Sequence, residues 1–188
     1  MKNTIIHLLG FPGTGKYTIA KEICKQADVK LVDNHLINNP VFTLIERDGK
    51  TRLPDTVWEQ TAKIRAIVLD TMKTLSHPDY NFVFTNVLVD NDPSEREIYK
   101  SIEDTAIARN ANFAPVRLTC EIEENVKRVA HPDRELRMKE LSPETAREFR
   151  IDHEIINTGH KNEFTLDVTN LPPEEAAKII LAHARNCA

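Results

Sequence analysis

Cysteine, long apolar runs and an excess of charge of one sign are all scarce in this sequence of 188 residues. The 3 cysteines stand apart without a C-x-x-C pair, which argues against a disulfide scaffold or a zinc site and indicates a reducing cytoplasm. No apolar run reaches the roughly 18 residues that a membrane span needs. A net charge of −4 gives no general attraction to nucleic acid or to an anionic membrane.

The composition that remains is ordinary for a globular protein, with 40% hydrophobic and 29% charged residues. A chain of this length most simply forms one domain, so we expect a single domain over residues 1–188. The apolar run near the N-terminus covers about five residues and lacks a cleavage site, so we interpret it as a buried strand rather than a signal peptide.

Short apolar runs alternate with longer helical patterns along the chain. The predicted strands cover residues 3–9, 28–33, 81–89, 114–120 and 164–168. The predicted helices cover residues 16–26, 38–48 and 56–75, with further helices beginning at Asp92, at Glu121 and in the segment PPEEAAKIILAHARN. This alternation is typical of βαβ units, and it predicts an α/β domain with a parallel sheet covered by helices on both faces.

Two of these helices carry start signals. Thr56 followed by Glu59 forms a capping-box pattern. Asp92 followed by Pro93 places an aspartate at the cap and a proline at the first helical position.

The segment GFPGTGKYT lies between the first strand and the first helix, and it fits the Walker A pattern G-x-x-x-x-G-K. Glycines allow positive φ and bring backbone N–H groups toward an anion, while the helix dipole points to the same place. A lysine here can reach the β- and γ-phosphates of a nucleotide. The predicted phosphate-binding residues are Gly10, Pro12, Gly13, Thr14, Gly15, Lys16, Tyr17 and Thr18.

Tyr17 stands where the Walker A pattern has the serine or threonine whose hydroxyl contacts magnesium. A phenol oxygen lies several ångströms further from Cβ and cannot take that place without moving the backbone. Thr18 is rotated by about 100° around the helix, which suits a phosphate oxygen better than the metal. Tyr17 is therefore compatible with packing beside the loop, with stacking on a ligand, or with lost catalysis.

A basic segment, NVKRVAHPDRELRMKEL, follows the fourth strand. Arginine forks match phosphate oxygens and keep their charge, so Arg128, Arg134 and Arg137 are candidates for phosphate contacts. Arg134 and Arg137 would share one face of a helix, after the break at Pro132. The alternative is a solvated charged surface, since glutamates are interspersed among these residues.

Asp33 ends the second strand, where an open parallel sheet presents groups to its ligand crevice. A carboxylate there can orient an acceptor hydroxyl or act as a general base. Equally, Asp33 could cap the following helix. His35, Arg65 and Asn86 are weaker candidates for contact with substrate.

The order of these parts resembles the small P-loop kinases of the shikimate, gluconate and adenylate kinase type. The resemblance follows the phosphate loop, the strand ending in VDNH, the strand FVFTNVL, the segment LTCEIEENVKRV and the final TLDVTNLPPEEAAKII. It implies a five-stranded parallel sheet, with ATP and Mg²⁺ at the loop, an acceptor-binding insert at about 34–75 and an arginine-bearing lid at about 130–145. Lys16, Asp33, Arg128 and Arg134 would be catalytic, and the turn at 169–172 would lie near the adenine.

Two functions remain open at this point. One is a kinase that transfers the γ-phosphoryl group of ATP to a small-molecule hydroxyl or a nucleotide. The other is a nucleotide-binding sensor or partner module with weak catalysis, which Tyr17 favours. A GTPase is disfavoured because the sequence has no N-K-x-D signature, and a nucleic-acid enzyme because it has no basic stripe with aromatics.

Overall fold

In a computed structural model of the chain, residues 1–46, 53–130 and 142–187 are described. They contain five strands: β1 (Thr4–Leu9), β2 (Val29–Asp33), β3 (Asn81–Asn86), β4 (Asn112–Thr119) and β5 (Phe164–Asp167). All neighbouring strands pair in parallel, in the order β2-β3-β1-β4-β5. The five-stranded parallel sheet predicted from the sequence is confirmed.

Seven helices accompany the strands in these described residues: α1 (Lys16–Gln26), α2 (Asn34–Phe42), α3 (Asp55–Thr74), α4 (Pro93–Ala108), α5 (Ile122–Val129), α6 (Pro143–Asp152) and α7 (Pro173–Asn186). No described helix is long and apolar enough to cross a membrane.

Each face of the sheet has its own apolar core. On one face, Ile6 and Leu8 of β1 pack with Ile23 of α1 and with Ile180 and Leu181 of α7. On the other face, Ile5 and Leu9 pack with α3 and α4 residues, which include Leu69, Met72, Tyr99 and Ile102. Because successive side chains of a strand point to opposite faces, β1 supplies both cores and is buried along its whole length.

Several predicted boundaries differ from the structure. The third strand was predicted to reach residue 89, but its pairing ends at Asn86, because its neighbour β1 ends at Leu9 opposite it. Val89 instead forms an isolated antiparallel bridge to Ile155. The helix predicted at 38–48 begins at Asn34, directly after β2, and ends at Phe42; residues 47 and 48 lie outside the described part.

Of the two predicted helix starts, one is wrong and one is confirmed. The Thr56–Glu59 capping box does not form, since α3 begins one residue earlier, at Asp55, after an extended Pro54. The carboxylate of Asp55 still lies in the first turn, where its negative charge interacts favourably with the positive end of the helix dipole. At α4, the side chain of Asp92 accepts from the backbone N–H of Ser94, as a cap should, and Pro93 follows it.

Candidate functional site: a phosphate loop beside an acceptor cleft

The loop after β1 is built for close backbone approach. Gly13 has φ of 85° and Gly15 has φ of 86°, a region that only glycine enters readily. The backbone N–H and the hydroxyl of Thr14 both donate to the carbonyl of Phe11, at 3.2 and 2.9 Å, which closes a tight turn. The amides at the start of α1 follow Gly15, which provides no side-chain cap. This geometry supplies N–H donors and a helix dipole for an anion.

Lys16 extends back over this turn. Its Nζ donates to the carbonyl oxygens of Gly10 and Phe11, at 2.6 and 2.8 Å. The cation therefore lies within the loop and next to the N-terminus of α1. At this place it would attract a negatively charged phosphate group.

Asn125 of α5 holds the loop from the other side. Its amide nitrogen donates to the carbonyl of Pro12 at 2.7 Å, and the side chain is fully buried. A Cβ at Gly13 would lie 2.7 Å from both the Asn125 amide and Val129. Asn125 was not a predicted site residue, and no sequence motif marks it.

Tyr17 lies in the first turn of α1 and is half-buried, with Nζ of Lys21 at 5.9 Å from its ring centre. Thr18 is exposed. These positions fit a tyrosine packed beside the loop. Tyr17 has no hydroxyl next to Cβ, so it cannot make the magnesium contact that serine or threonine makes at this position of the Walker A pattern.

The predicted arginines have different outcomes. Arg134 and Arg137, and most of the predicted lid, lie outside the described residues. Arg128 is described: its guanidinium donates to Glu124 at 2.8 Å and to the carbonyls of Val168 and Thr169 at 3.0 and 2.8 Å. These bonds attach it to the turn after β5, so its position gives no support to phosphate contact, and that role stays a prediction.

A different arginine contacts the phosphate loop. Arg150 of α6 lies with its guanidinium carbon 5.0 Å from the ring centre of Phe11 and donates to the carbonyl of Cys120 at 2.7 Å. Phe149 packs against the same ring, edge to face, at 6.0 Å. α6, which begins within the predicted lid, is thereby fixed to the loop.

At the carboxyl ends of β2 and β3, polar side chains form a buried network. Asp33 is 5% exposed, and its Oδ1 accepts from the hydroxyl of Thr85. Asp33 precedes α2 but makes no side-chain cap to it, so the predicted helix-capping alternative is wrong.

Asn86 continues this network into the sheet. Its Nδ2 donates to Oδ1 of Asn34 at 3.1 Å, and its Oδ1 lies 3.0 Å from Nε2 of His7. His7 is fully buried, and burial lowers the pKa of its imidazole to about 4, although the bond to Asn86 opposes that shift. A neutral His7 with a protonated Nε2 therefore donates to Asn86 and fixes the orientation of its amide.

Beside this network lies a cleft of about 940 Å³, which we call the α3–α4 cleft. Its described lining contains Asn34, Asn38 and Asn86 together with Trp58, Arg65 and Glu95. Of the four predicted substrate contacts, Arg65 and Asn86 line it, whereas Asp33 and His35 are not among the described lining residues. His35 instead lies 3.3 Å from Asn39 of its own helix.

Two opposite charges share the α3–α4 cleft. Burial lowers the pKa of the Arg65 guanidinium, and Glu95 opposes that effect. Burial also raises the pKa of Glu95 to about 7, against a backbone hydrogen bond from Val89 that lowers it. Near neutral pH this carboxyl group is therefore poised between its charged and neutral forms.

The chain is similar in structure to several kinases. A gluconokinase from Sinorhizobium meliloti superposes with a TM-score of 0.67 at 16% identity, covering 98% of this chain and 93% of that one. An APS kinase from Mycobacterium tuberculosis, in complex with AMPPNP and APS, gives 0.61 at 10% identity over 98% of both chains. The chain shares its fold with these kinases, a five-stranded parallel sheet flanked by helices.

A third example of this fold is a shikimate kinase from Acinetobacter baumannii in complex with shikimate. It gives a TM-score of 0.58 at 16% identity, covering 95% of this chain and 90% of that one. No protein-family model matches the chain, and no curated sequence is similar to it. At these identities the comparisons establish a fold shared with these kinases and leave the reaction to the chemistry of the site.

Proposed function

We propose that this protein is an ATP-dependent phosphotransferase that moves the γ-phosphoryl group to a hydroxyl of a small molecule or to a nucleotide. The observation that carries the proposal is the adjacency of the phosphate loop and the α3–α4 cleft. Asn86, which lines the cleft, is the register partner of Leu9, and Leu9 directly precedes the loop. A donor phosphate and an acceptor would thus meet at one edge of neighbouring strands.

Phosphoryl transfer is catalysed mainly by positioning and by neutralising charge. We assign the first task to the loop amides and to the N-terminus of α1, and the second to Lys16. Arg150, which contacts the loop through Phe11, is a further cation on the donor side. Arg134 and Arg137 remain proposed lid residues, and residues 34–75 and 130–145 remain the proposed insert and lid of a single domain.

Mg²⁺ would be held chiefly by phosphate oxygens and water, as this cation commonly is. The described residues contain no group of three acidic, histidine or cysteine side chains that could hold a metal alone. Asp33 ends β2, which lies two strands from β1, a spacing of about 10 Å. That spacing and the Asp33–Thr85 bond favour a contact through water, so we propose that Asp33 helps to hold the metal through a water molecule.

The second candidate is a nucleotide-binding sensor without transfer activity. Tyr17 in place of the metal-binding hydroxyl favours it, as does the engagement of Asp33 with Thr85 outside the cleft lining. Both candidates bind ATP at the loop, and only the kinase uses an acceptor. We place either activity in the cytoplasm, which the three free thiols support.

The test is phosphorus NMR of the protein with Mg²⁺ and ATP, over a panel of hydroxylated metabolites, nucleosides and nucleotides. A new phosphoester or phosphoanhydride signal that grows as ATP is consumed supports the kinase. ATP binding with no new signal for any panel member would favour the sensor. Absence of ATP binding would overturn both.

A further inference from the structure

The lining of the α3–α4 cleft combines polar and apolar side chains. Asn34 and Asn86 are polar and line the cleft at the strand ends, beside the phosphate loop. Asn38 also lines it and is 5% exposed, and its Oδ1 has no hydrogen-bond partner among the described residues. A buried amide oxygen left unpaired is unfavourable, and rotation of this side chain toward the cleft would let a ligand hydroxyl satisfy it.

The lining also contains apolar side chains and a tryptophan. Leu69, Val87, Leu88 and Ile98 line the cleft. Trp58 lines it as well and keeps 44% of its surface exposed, with its ring edge-to-face against Phe42 at 5.7 Å. A large aromatic ring on the wall of a cleft favours stacking with another planar ring.

The length of α2 gives the distance between Asn34 and Phe42, the residue that Trp58 contacts. Asn34 begins this helix and Phe42, the contact of Trp58, ends it. Eight steps of about 1.5 Å separate the two ends by about 12 Å. A ligand that reaches from Asn34 to Trp58 is therefore longer than a single small sugar or cyclic acid, and a volume of about 940 Å³ accommodates it.

The charges of the described cleft lining argue against a phosphate group on that ligand. Within the described lining, Arg65 is accompanied by the carboxyl groups of Asp55, Asp92, Glu95 and Glu97, of which Glu95 is only partly charged near neutral pH. A dianion placed among them would be repelled by most of its neighbours. An uncharged ligand avoids this repulsion and does not disturb the electrostatic interaction between Arg65 and Glu95.

We propose that the acceptor is an uncharged compound in which a hydroxylated part is joined to a planar ring, the chemistry shared by aryl glycosides and nucleosides. The hydroxylated part would lie at the amides beside the loop and the ring against Trp58. The role of this compound as the acceptor rests on the proposed function. The binding preference itself does not require phosphoryl transfer.

Trp58 is the single tryptophan of the chain, so its fluorescence reports directly on this cleft. The titration uses the protein with AMPPNP in excess, so that the nucleotide site is occupied, and two matched pairs of probes. Phenyl glucoside and methyl glucoside differ in the ring, and uridine and uridine monophosphate differ in the phosphate. We expect at least one ring-bearing uncharged probe to change the fluorescence and to bind at least tenfold tighter than methyl glucoside, with uridine monophosphate no tighter than uridine.

The variants are compared by calorimetry, because Trp58→Ala removes the fluorophore. In Trp58→Ala the preference for phenyl over methyl glucoside, or for whichever ring-bearing probe binds, should fall to about twofold or less. Trp58→Phe retains a ring and should keep most of the preference. Ile67→Ala is the matched control on the same helix, at an exposed position that is not in the described lining of the cleft. This variant should keep the full preference for the ring-bearing probe.

Three results would overturn the inference: no probe changes Trp58 fluorescence, methyl glucoside binds as tightly as the ring-bearing probes, or the monophosphate binds at least tenfold tighter than uridine. Failure of the kinase proposal is separate and would show as ring-selective binding without a phosphorylated product. Transfer to a ringless acceptor with no ring preference would retain the kinase and reject this acceptor class.

Discussion

The side-chain amide of Asn125 and the carbonyl of Pro12 form a 2.7 Å hydrogen bond between α5 and the phosphate loop. They lie 113 positions apart in the sequence, and the bond fixes the loop segment that directly precedes Gly13. The shape of the loop therefore depends on a residue outside the Walker A segment.

Asn125→Ala should lower stability and weaken ATP binding, because it leaves the Pro12 carbonyl without its donor. Loss of one buried hydrogen bond costs about 1 to 3 kcal/mol. Urea unfolding and calorimetric ATP titration measure the two effects. Lys127→Ala, an exposed change on the same helix, is the control; equal behaviour of the two variants would contradict the role of Asn125.

Gly13→Ala tests whether close packing at the loop is required. The change places a side chain at φ of 85°, which costs about 1 to 2 kcal/mol. It also places a Cβ 2.7 Å from Asn125 and Val129, and such overpacking adds about 1 to 3 kcal/mol.

Gly159→Ala is the matched control, since Gly159 also has positive φ but nothing lies within 4 Å of the added Cβ. We expect Gly13→Ala to be the more destabilising of the two in urea unfolding, and to lose ATP binding as well. A loss of stability no larger than that of Gly159→Ala would show that the contact with α5 is unimportant.

His7 predicts a specific dependence of stability on pH. Its pKa falls from 6.5 in the unfolded chain to about 4 in the folded protein, because burial disfavours the charged ring. A lowered folded-state pKa means that its stabilisation is complete above pH 6.5 and is lost as the pH falls toward 4. A shift of this size corresponds to about 3 kcal/mol.

His7→Gln removes this titration and keeps a group that can donate to Asn86. The free energy of unfolding of the native protein should therefore fall by about 3 kcal/mol more than that of the variant between pH 7 and pH 4. The comparison uses the change with pH and not the absolute stability, which the substitution itself alters. Parallel curves for the two proteins would show that His7 is not held neutral by burial.

The sequence predicted the sheet and the loop better than it predicted the surroundings of the site. The strands and the Walker A segment depend on local patterns: a buried apolar run before the loop, and glycines and Lys16 within it. The contacts made by Asn125 and His7 join elements far apart in the chain, and an isolated asparagine or histidine gives no local signal for them.

The misplaced boundaries have physical causes of the same kind. α2 begins four residues before the predicted start and contains Pro40, so its first turn was not anticipated by the pattern. The third strand was extended through Val87–Val89 because those residues are apolar. Leu88 and Val89 are indeed buried, but β1 offers no partner beyond Leu9.

Tyr17 should not be a magnesium ligand. Tyr17→Phe is therefore expected to leave the Mg²⁺ concentration for half-maximal ATP turnover within about twofold of the native value. Tyr17→Ser restores a hydroxyl next to Cβ, where it can reach a metal at about 2.1 Å, and should lower that concentration. A large increase in the Mg²⁺ requirement of Tyr17→Phe, or a nucleotide complex with the phenol oxygen bonded to the metal, would contradict this prediction.

Calorimetric titration of ATP into the native protein, Lys16→Ala and Lys25→Ala tests the phosphate loop most directly. Lys25 lies on the same helix at an exposed position and controls for the loss of a positive charge. Charge-assisted hydrogen bonds contribute about 1.5 to 3 kcal/mol, so Lys16→Ala should weaken ATP binding by at least about tenfold, whereas Lys25→Ala should bind as the native protein does. Unchanged binding by Lys16→Ala would contradict the assignment of the loop as a nucleotide phosphate site, and with it the proposed function.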